Sequence, residues 1–363
     1  MRRHRTTPRP GWQETVEEQG LIYPLSRQPD GSLRPYWDES AYYSFSLAEI
    51  EALEEVVAEL HEMCLTAADH IVKENRFADL GIRDPRVAAL IAESWRRRDE
   101  LPSLYGRFDL HYDGRGGAPA KMLEYNADTP TSLVEAAGPQ WFWMEERFAD
   151  VPQADQWNSL HERLVDAWKR QAALLPPGAP LHFAHSIGDE LGEDLMTVAY
   201  LRETADQAGV PTEVISMEDI GWDGLSGRFV DKKLRFIRAC FKLYPWEWLV
   251  ADDFGPLALD TLDNGGGTGS TLWIEPLWKM LLSNKALLAI LWELFPDHPN
   301  LLPAHLDGPR DPTPPGANPW CGTSPAATRS WPRCPPSTAT TSSSARGWSR
   351  ASRRGSASAS RRA

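Results

Sequence analysis

The C-terminal part of this 363-residue sequence lacks the side chains that build a protein core. Residues 312–363 contain no Val, Ile, Leu, Met, Phe or Tyr, and no Lys, Asp or Glu. Ser, Ala, Pro, Thr, Gly and Arg dominate, and such a segment cannot bury enough apolar surface to fold, so we predict a disordered tail. Arg without Lys is also what GC-rich DNA encodes when it is read out of frame. We hypothesise that a frameshift after codon 311 has replaced the native C-terminus.

Cysteines and long apolar runs are also scarce. The four cysteines (Cys64, Cys240, Cys321 and Cys334) form no CxxC pair, so the sequence indicates neither a zinc site nor a disulfide framework. No run approaches the roughly 20 apolar residues that span a membrane. The basic start, MRRHRTTPRPGW, is not followed by the apolar segment of a signal peptide. We therefore predict a soluble, cytoplasmic protein with no membrane partner.

Basic residues are in short supply outside the tail. Residues 312–363 hold eight Arg, which leaves 30 basic against 51 acidic side chains in residues 1–311, a net charge of −21. An acidic body disfavours binding to nucleic acid. The tail arginines could contact phosphates, but no base-stacking pattern accompanies them. We predict no nucleic-acid partner.

Hydrophobic periodicity in the first 150 residues predicts helices and a hairpin. Ser46 and Glu49 have capping-box spacing, and the apolar residues after them predict an amphipathic helix to about residue 72. A second helix is predicted from Asp84-Pro85 to residues 96–98. Residues 104–126 read as two strands, YGRFDLHY and KMLEYN, joined by a glycine-rich turn. A helix is predicted to begin near Thr129-Pro130, with Pro in its first turn.

From residue 180 the pattern alternates. LHFAHS and PTEVISM predict strands on either side of a helix at 194–208, which is a βαβ-like unit. LRFIRACFKLYPWEW is predicted to be strand-rich, DTLDNGGGTGSTLW a flexible loop, and residues 276–295 helical. The fold class is α+β, with an α/β part in the second half.

The predicted hairpin places four polar side chains together. Because strand side chains alternate, Arg107 and Asp109 share one face, and Glu124 and Asn126 share one face of the partner strand. Phe108, Leu110, Leu123 and Tyr125 are expected on the opposite, apolar face. Mg²⁺ prefers such oxygen ligands, and an adjacent Arg can stabilise a phosphoryl group. From alternation alone, a half-exposed hairpin with an Arg-Asp pair is the more usual case.

The hairpin and later segments of the sequence resemble the glutathionylspermidine synthase family, whose members are ATP-grasp ligases. The resemblance runs over residues 9–309. It is carried by YGRFDLHYD, KMLEYNADTPTSLVEAA, FKLYPWEW with DDFGPL, and WIEPLWKMLLSNKALLAILWELFPDHPNLLP. It implies an ATP- and Mg²⁺-dependent carboxylate–amine ligase that forms an amide through an acyl phosphate.

The resemblance also implies roles for individual residues. It makes Asp109, Glu124 and Asn126 the Mg²⁺ ligands, with Arg107 as the catalytic residue on the ATP phosphates. The Lys of SNKALL, Lys285, is implied at the nucleotide. From the residue type alone, a solvated side chain at a helix turn is the more usual interpretation of Lys285, because Lys is mostly exposed.

Substrate residues match the family less fully. The family's glutathione-contacting Ser-x-Ser corresponds to Thr129 and Thr131, and its Glu-Glu pair to Glu193 and Asp194. A family Thr corresponds to Leu243, which weakens glutathione itself as the substrate. Each match is equally a helix cap, a solvated helix start or a core residue. The implied partners are a small carboxylate, glutathione-like or peptide, and a polyamine-like amine.

The C-terminus departs most from the family, whose members continue past Leu302-Pro303 with further ATP-grasp strands, a second phosphate-binding Lys and a glycine-rich loop. We predict that this ATP-grasp portion is missing and that activity is impaired. The alternative is a non-catalytic remnant that binds nucleotide or substrate. We assign residues 1–150 to N-terminal helices and the metal-binding hairpin, 151–265 to a pre-ATP-grasp-like βαβ substrate domain, 266–311 to the start of a nucleotide-binding subdomain, and 312–363 to the tail.

Overall fold

The computed structural model describes residues 1–28, 30–188, 192–263, 270–308 and 340–344. The described helices are α1 (Trp12–Glu18), α2 (Leu47–Lys73), α3 (Pro85–Arg96), α4 (Val134–Ala137), α5 (Pro139–Arg147), α6 (Leu160–Gln171), α7 (Glu193–Gln207), α8 (Trp246–Ala251), α9 (Gly255–Asp263) and α10 (Ala286–Leu294). The described strands are β1 (Arg2–Arg5), β2 (Leu25–Arg27), β3 (Leu33–Pro35), β4 (Ala41–Ser44), β5 (Arg107–His111), β6 (Lys121–Asn126), β7 (Leu181–His185), β8 (Thr212–Ser216), β9 (Gly221–Asp223), β10 (Arg228–Val230), β11 (Ala239–Leu243), β12 (Leu272–Ile274) and β13 (Thr340–Ser344). The mixture confirms the α+β class.

A four-stranded parallel sheet forms the centre of the second half, in the order β12-β11-β7-β8. The predicted βαβ unit is confirmed as β7-α7-β8. All five residues of β11 are buried, as expected for a parallel strand covered on both faces. Because β12 belongs to this sheet, the sheet crosses the predicted domain boundary between residues 265 and 266. The division into domains stays a prediction.

The predicted hairpin is confirmed as the antiparallel pair β5–β6. Its apolar face packs into the larger core, where the rings of Phe108 and Tyr125 stack with centroids 3.9 Å apart. The same core includes side chains from α2, α3 and α10 and from the parallel sheet, so the hairpin is fixed against both halves of the chain. This packing leaves the polar face of the hairpin to form a site.

The predicted starts of α2 and α3 are confirmed. Ser46 caps α2, and both hydrogen bonds of its capping box with Glu49 are present. α3 begins at Pro85 after the Asp84 cap. In the described ranges, no helix combines the length and the apolar character needed to cross a membrane.

Some other predictions were wrong. The helix expected from Thr129-Pro130 begins only at Val134, because Ser132 adopts a left-handed backbone conformation (φ 66°). Residues 246–248, the end of the predicted strand-rich stretch, belong instead to α8. The helical prediction for residues 276–295 is confirmed, in two segments: a 3₁₀ helix (Leu277–Leu281) and α10.

Part of the predicted tail and loop can be located. Residues 340–344 form β13, which pairs antiparallel with β5, so these five residues differ from the predicted disorder. The predictions of disorder for 312–339 and 345–363 lie outside the described residues. Of the flexible loop predicted at 260–273, residues 260–263 belong to α9 and residues 272–273 to β12, and residues 264–269 lie outside the described residues.

Candidate functional site

The register of β5 and β6 brings the four predicted site residues together. Arg107 pairs with Asn126, and Asp109 pairs with Glu124. All four side chains are partly exposed, whereas Phe108 on the opposite face is buried. The polar face predicted from alternation is therefore a single surface that crosses both strands.

A β-bulge in the hairpin changes one predicted position. After the Asp109–Glu124 pair, Leu110 pairs with Met122, so β6 contains one extra residue, Leu123. Met122 is buried at 2% exposure, while Leu123 is only half-buried. The expectation that Leu123 would face the core was wrong, because the bulge gives that place to Met122.

Arg107 links the hairpin to the next loop. Its Nε donates to Asp109 Oδ1 at 2.8 Å, and its Nη1 donates to the backbone oxygen of Thr131 at 3.2 Å. The guanidinium, which is mostly buried, has Asp109 and Glu124 near it, and their charges keep the Arg107 pKa raised against burial. Arg107 is thus held at the boundary between the carboxylates and the loop that carries Thr129 and Thr131.

Lys285 contacts the hairpin at Glu124. Its Nζ forms an ion pair with Glu124 Oε2, and Asn126 Nδ2 donates to Glu124 Oε1 at 2.9 Å. Glu124 and Lys285 also line a small crevice between β6 and the start of α10. The structure therefore brings Lys285 into contact with Glu124, a predicted metal ligand that lies 161 residues away in the sequence.

The two opposed carboxylates have different acidities. Burial raises the pKa of Asp109, with Glu124 adding to the rise and Arg107 opposing it. Burial also opposes ionisation of Glu124, but the hydrogen bonds from Lys285 and Asn126 outweigh it and lower its pKa to about 2. Glu124 is therefore the stronger acid of the pair.

The donor set fits a magnesium ion. Two carboxylates and one amide on adjacent strands supply oxygen ligands, and Mg²⁺ is commonly held by one or two carboxylates together with phosphates and water. In the part of the chain that the structure describes, no three His, Cys, Asp or Glu side chains come together as a metal site. Asp109, Glu124 and Asn126 remain the predicted ligands of an ion that would complete its coordination with substrate and water.

The predicted substrate residues lie on two elements. Thr129 and Thr131 are half-buried in the loop after β6. Glu193 and Asp194 form the first turn of α7, and the charge of Asp194 acts on Tyr105, whose hydroxyl donates to the backbone of that loop. Thus the start of α7 and the loop after β6 face one region.

Leu243, the residue that departs from the family pattern, lies in the core. It ends β11 and is 3% exposed. The core interpretation of this position is confirmed.

A buried ion pair that was not predicted from the sequence joins Asp128, two residues after Asn126, to Lys242. Lys242 Nζ lies 2.8 Å from Asp128 Oδ1, and both residues are at most 1% exposed. The second Asp128 oxygen accepts the backbone N–H of Trp246 at 2.7 Å, and Lys242 Nζ lies 4.5 Å from the Trp246 ring centroid. Asp128 continues the two-residue spacing of Glu124 and Asn126, which was the signal available in the sequence.

A second buried pair lies beside the first. Lys279 Nζ is 2.5 Å from Glu275 Oε2 and donates to the backbone oxygen of Tyr105 at 2.6 Å. Glu275 Oε1 accepts the backbone N–H groups of Leu104 and Tyr105. These contacts fix the start of β5 to the end of β12, and they were not predictable because the partners are about 170 residues apart in sequence.

Comparison with known proteins adds the family context. The chain matches the family described as "Glutathionylspermidine synthase preATP-grasp" over residues 3–321, which spans the three predicted domains and runs past residue 311. It is 40% identical over 298 residues to a Haemophilus influenzae protein provisionally named an acid–amine ligase, covering 82% of this chain and 71% of that protein.

Two more distant relatives are longer. The chain is 28% identical over 284 residues to the Escherichia coli bifunctional glutathionylspermidine synthetase/amidase, covering 73% of this chain and 43% of that protein. It is 24% identical over 308 residues to the Crithidia fasciculata trypanothione synthetase, covering 80% and 44%. The chain therefore spans less than half the length of either protein.

Proposed function

The chain belongs to the glutathionylspermidine synthase pre-ATP-grasp family, and we propose that its site is that of an ATP- and Mg²⁺-dependent ligase that joins a carboxylate to an amine. The observation that carries the proposal is the strand register that sets Arg107 and Asp109 opposite Asn126 and Glu124. Two carboxylates, an amide and a guanidinium on one face suit a metal–phosphate complex.

The reaction has two steps. A substrate carboxylate oxygen attacks the γ-phosphorus of ATP and releases ADP, and the amine nitrogen then attacks the acyl phosphate, forming the amide as phosphate leaves and the nitrogen loses a proton. Bound Mg²⁺ would neutralise phosphate charge. Arg107 donates to the transferring phosphoryl group, and Lys285 exchanges its bond with Glu124 for one with the nucleotide. The loop with Thr129 and Thr131 orients the acid beside Arg107.

Two observations bear on the substrates: the family to which the chain belongs, and the one position, Leu243, that departs from the family pattern. The names of the relatives support a glutathione-like or peptide acid and a polyamine-like amine. Leu243 offers no hydroxyl where the family has Thr, which favours an acid other than glutathione. Glu193 and Asp194, at the start of α7, remain the proposed substrate contacts on that side.

Release of ADP tests the activity. We expect Mg²⁺-dependent ADP formation that requires both a candidate acid and a candidate amine, and its loss in the Asp109→Asn variant. Asp113→Asn, an exposed residue beyond the end of β5, is the matched control. ADP formation that persists in Asp109→Asn would overturn the assignment of the hairpin.

A second function, nucleotide binding without turnover, is favoured by the composition of residues 312–363. They contain no Lys that could serve as a second phosphate-binding residue. Under this alternative, Mg-ATP raises the melting temperature but no acid–amine pair yields ADP. The frameshift itself is tested by the gene: a shifted frame after codon 311 should encode a Lys-containing, amphipathic sequence, and its absence from both other frames contradicts the hypothesis.

A further inference from the structure

Glu135, at the start of α4, has a carboxylate that is only half satisfied. The residue is 8% exposed, and its Oε1 accepts the hydroxyls of Tyr23 at 3.2 Å and Tyr36 at 2.5 Å. Its Oε2 is closed off from solvent and has no hydrogen-bond partner in the described chain. Buried carboxylates are normally paired, so an unpartnered oxygen indicates a missing partner.

α7, which begins at Glu193, reaches the same part of the fold, because Met196 packs with Tyr23 and Val134 in one hydrophobic cluster. Burial raises the pKa of Tyr23 and of Tyr36, and the negative charges of Glu135 and Glu193 raise them further. Within the described ranges, neither Glu135 nor Glu193 forms an ion pair with Lys, Arg or His. The cluster of Tyr23, Tyr36, Glu135 and Glu193 thus carries negative charge that no described cation neutralises.

The cluster adjoins the proposed ligase site through the chain. Tyr36 interacts with Ser132, which directly follows the Thr131 that holds Arg107. The left-handed backbone of Ser132 turns the chain between the two groups. A ligand bound at the cluster would therefore be adjacent to the loop that orients the acid.

We propose that Tyr23, Tyr36, Glu135 and Glu193 form a binding site for a primary ammonium group of a substrate. An ammonium carries three N–H donors and a full positive charge, which match Glu135 Oε2 and the nearby Glu193 carboxylate. Because the tyrosine hydroxyls already donate to Glu135 Oε1, Oε2 remains as the acceptor. The two phenol rings, 5.0 Å apart, add faces that attract a cation.

This inference rests on the proposed function for its biological role, and two substrates could supply the ammonium group. One is the amine substrate, and the other is the α-ammonium of a peptide acid. Spermidine and glutathione are suitable probes, because spermidine has no carboxylate and glutathione has one primary ammonium. Calorimetric titration of the full chain with each probe, without nucleotide, separates the two sources.

The decisive variant is Glu135→Gln, which keeps the shape and removes the charge. We expect this variant to bind one probe at least about tenfold more weakly than the wild type does, because it loses a hydrogen bond to a charged group. Glu55→Gln, an exposed residue of α2, should bind both probes like the wild type and so controls for non-specific attraction to the acidic surface. Tyr36→Phe, at a 41% exposed residue, provides a second variant if Glu135→Gln fails to fold, with an expected loss of about threefold.

Each result has one meaning. Weakened spermidine binding assigns the site to the amine substrate, and weakened glutathione binding assigns it to the peptide acid. Equal binding by wild type and Glu135→Gln, or no binding of either probe to the wild type, overturns the proposal. The Asp109→Asn variant should still bind the probe, so a failure of the ligase assignment would leave the ammonium site standing and can be told apart from a failure of the site.

Discussion

Asp109 and Glu124 lie directly opposite each other across β5 and β6, and each is held by a different cation. Asp109 accepts from Arg107 on its own strand, whereas Glu124 pairs with Lys285 from the segment before α10. Under the proposed function, the two carboxylates exchange these cations for a metal ion while the strands stay in place.

Replacing Lys285 should change the acidity of Glu124. In Lys285→Met the strongest bond that lowers the Glu124 pKa is lost, so the pKa should rise from about 2. Mg-ATP binding should weaken about tenfold, since a charged contact to phosphate is also removed. A carboxyl NMR titration measures the first effect and calorimetry the second. Lys73→Met, at an exposed lysine of α2, is the control, and an unchanged Glu124 titration in Lys285→Met would contradict the account.

Breaking the buried Asp128–Lys242 pair should destabilise the fold. Asp128→Asn and Lys242→Met each leave one buried charge without its partner, at a cost of about 3–5 kcal/mol. The double variant removes both charges, so its loss of unfolding free energy should be clearly smaller than the sum of the single losses. Urea unfolding of the four proteins measures this, and additive losses would show that the two charges do not interact.

Acidification should weaken the fold through His61, a buried residue of α2. Burial and the positive charge of Lys279 lower its pKa to about 3, while an unfolded chain titrates near about 6.5. Below about pH 6.5 the unfolded state binds a proton at His61 that the folded state does not bind. The free energy of unfolding therefore falls as the pH falls, by about 2 kcal/mol between pH 7 and pH 5.

His61→Asn provides the comparison, because Asn cannot ionise and keeps an acceptor for the Tyr125 hydroxyl, which now lies 3.0 Å from His61 Nδ1. Urea unfolding at pH 7 and pH 5 should show a smaller pH dependence for the variant than for the wild type. Equal dependence in both would mean that His61 is not the titrating group.

Local patterns in the sequence predicted the parts of the fold that depend on neighbouring residues. The capping box of Ser46 and Glu49 predicted the start of α2, and strand alternation predicted which faces of β5 and β6 carry Arg107, Asp109 and Glu124. The helix expected at Thr129-Pro130 failed because a favourable first-turn Pro does not prevent the left-handed turn at Ser132.

Contacts between distant parts of the chain could not be predicted. Nothing in the local sequence indicates that Lys285 pairs with Glu124, since that contact depends on how α10 packs beside the hairpin. The bulge at Leu123 likewise depends on the fit of Met122 and Leu110 in the core. The family resemblance identified the candidate ligands but not these partners, which the tertiary packing decides.

Mg-ATP binding by the Asp109→Ala, Glu124→Ala double variant tests the central claim most directly. The wild type should bind Mg-ATP in calorimetry, and the double variant should lose detectable binding while its circular dichroism and melting profile stay those of a folded protein. Asp113→Ala with Glu55→Ala, two exposed carboxylates away from the polar face, is the matched control and should bind like the wild type. If the Asp109→Ala, Glu124→Ala protein binds Mg-ATP with unchanged affinity, the hairpin is not the metal site.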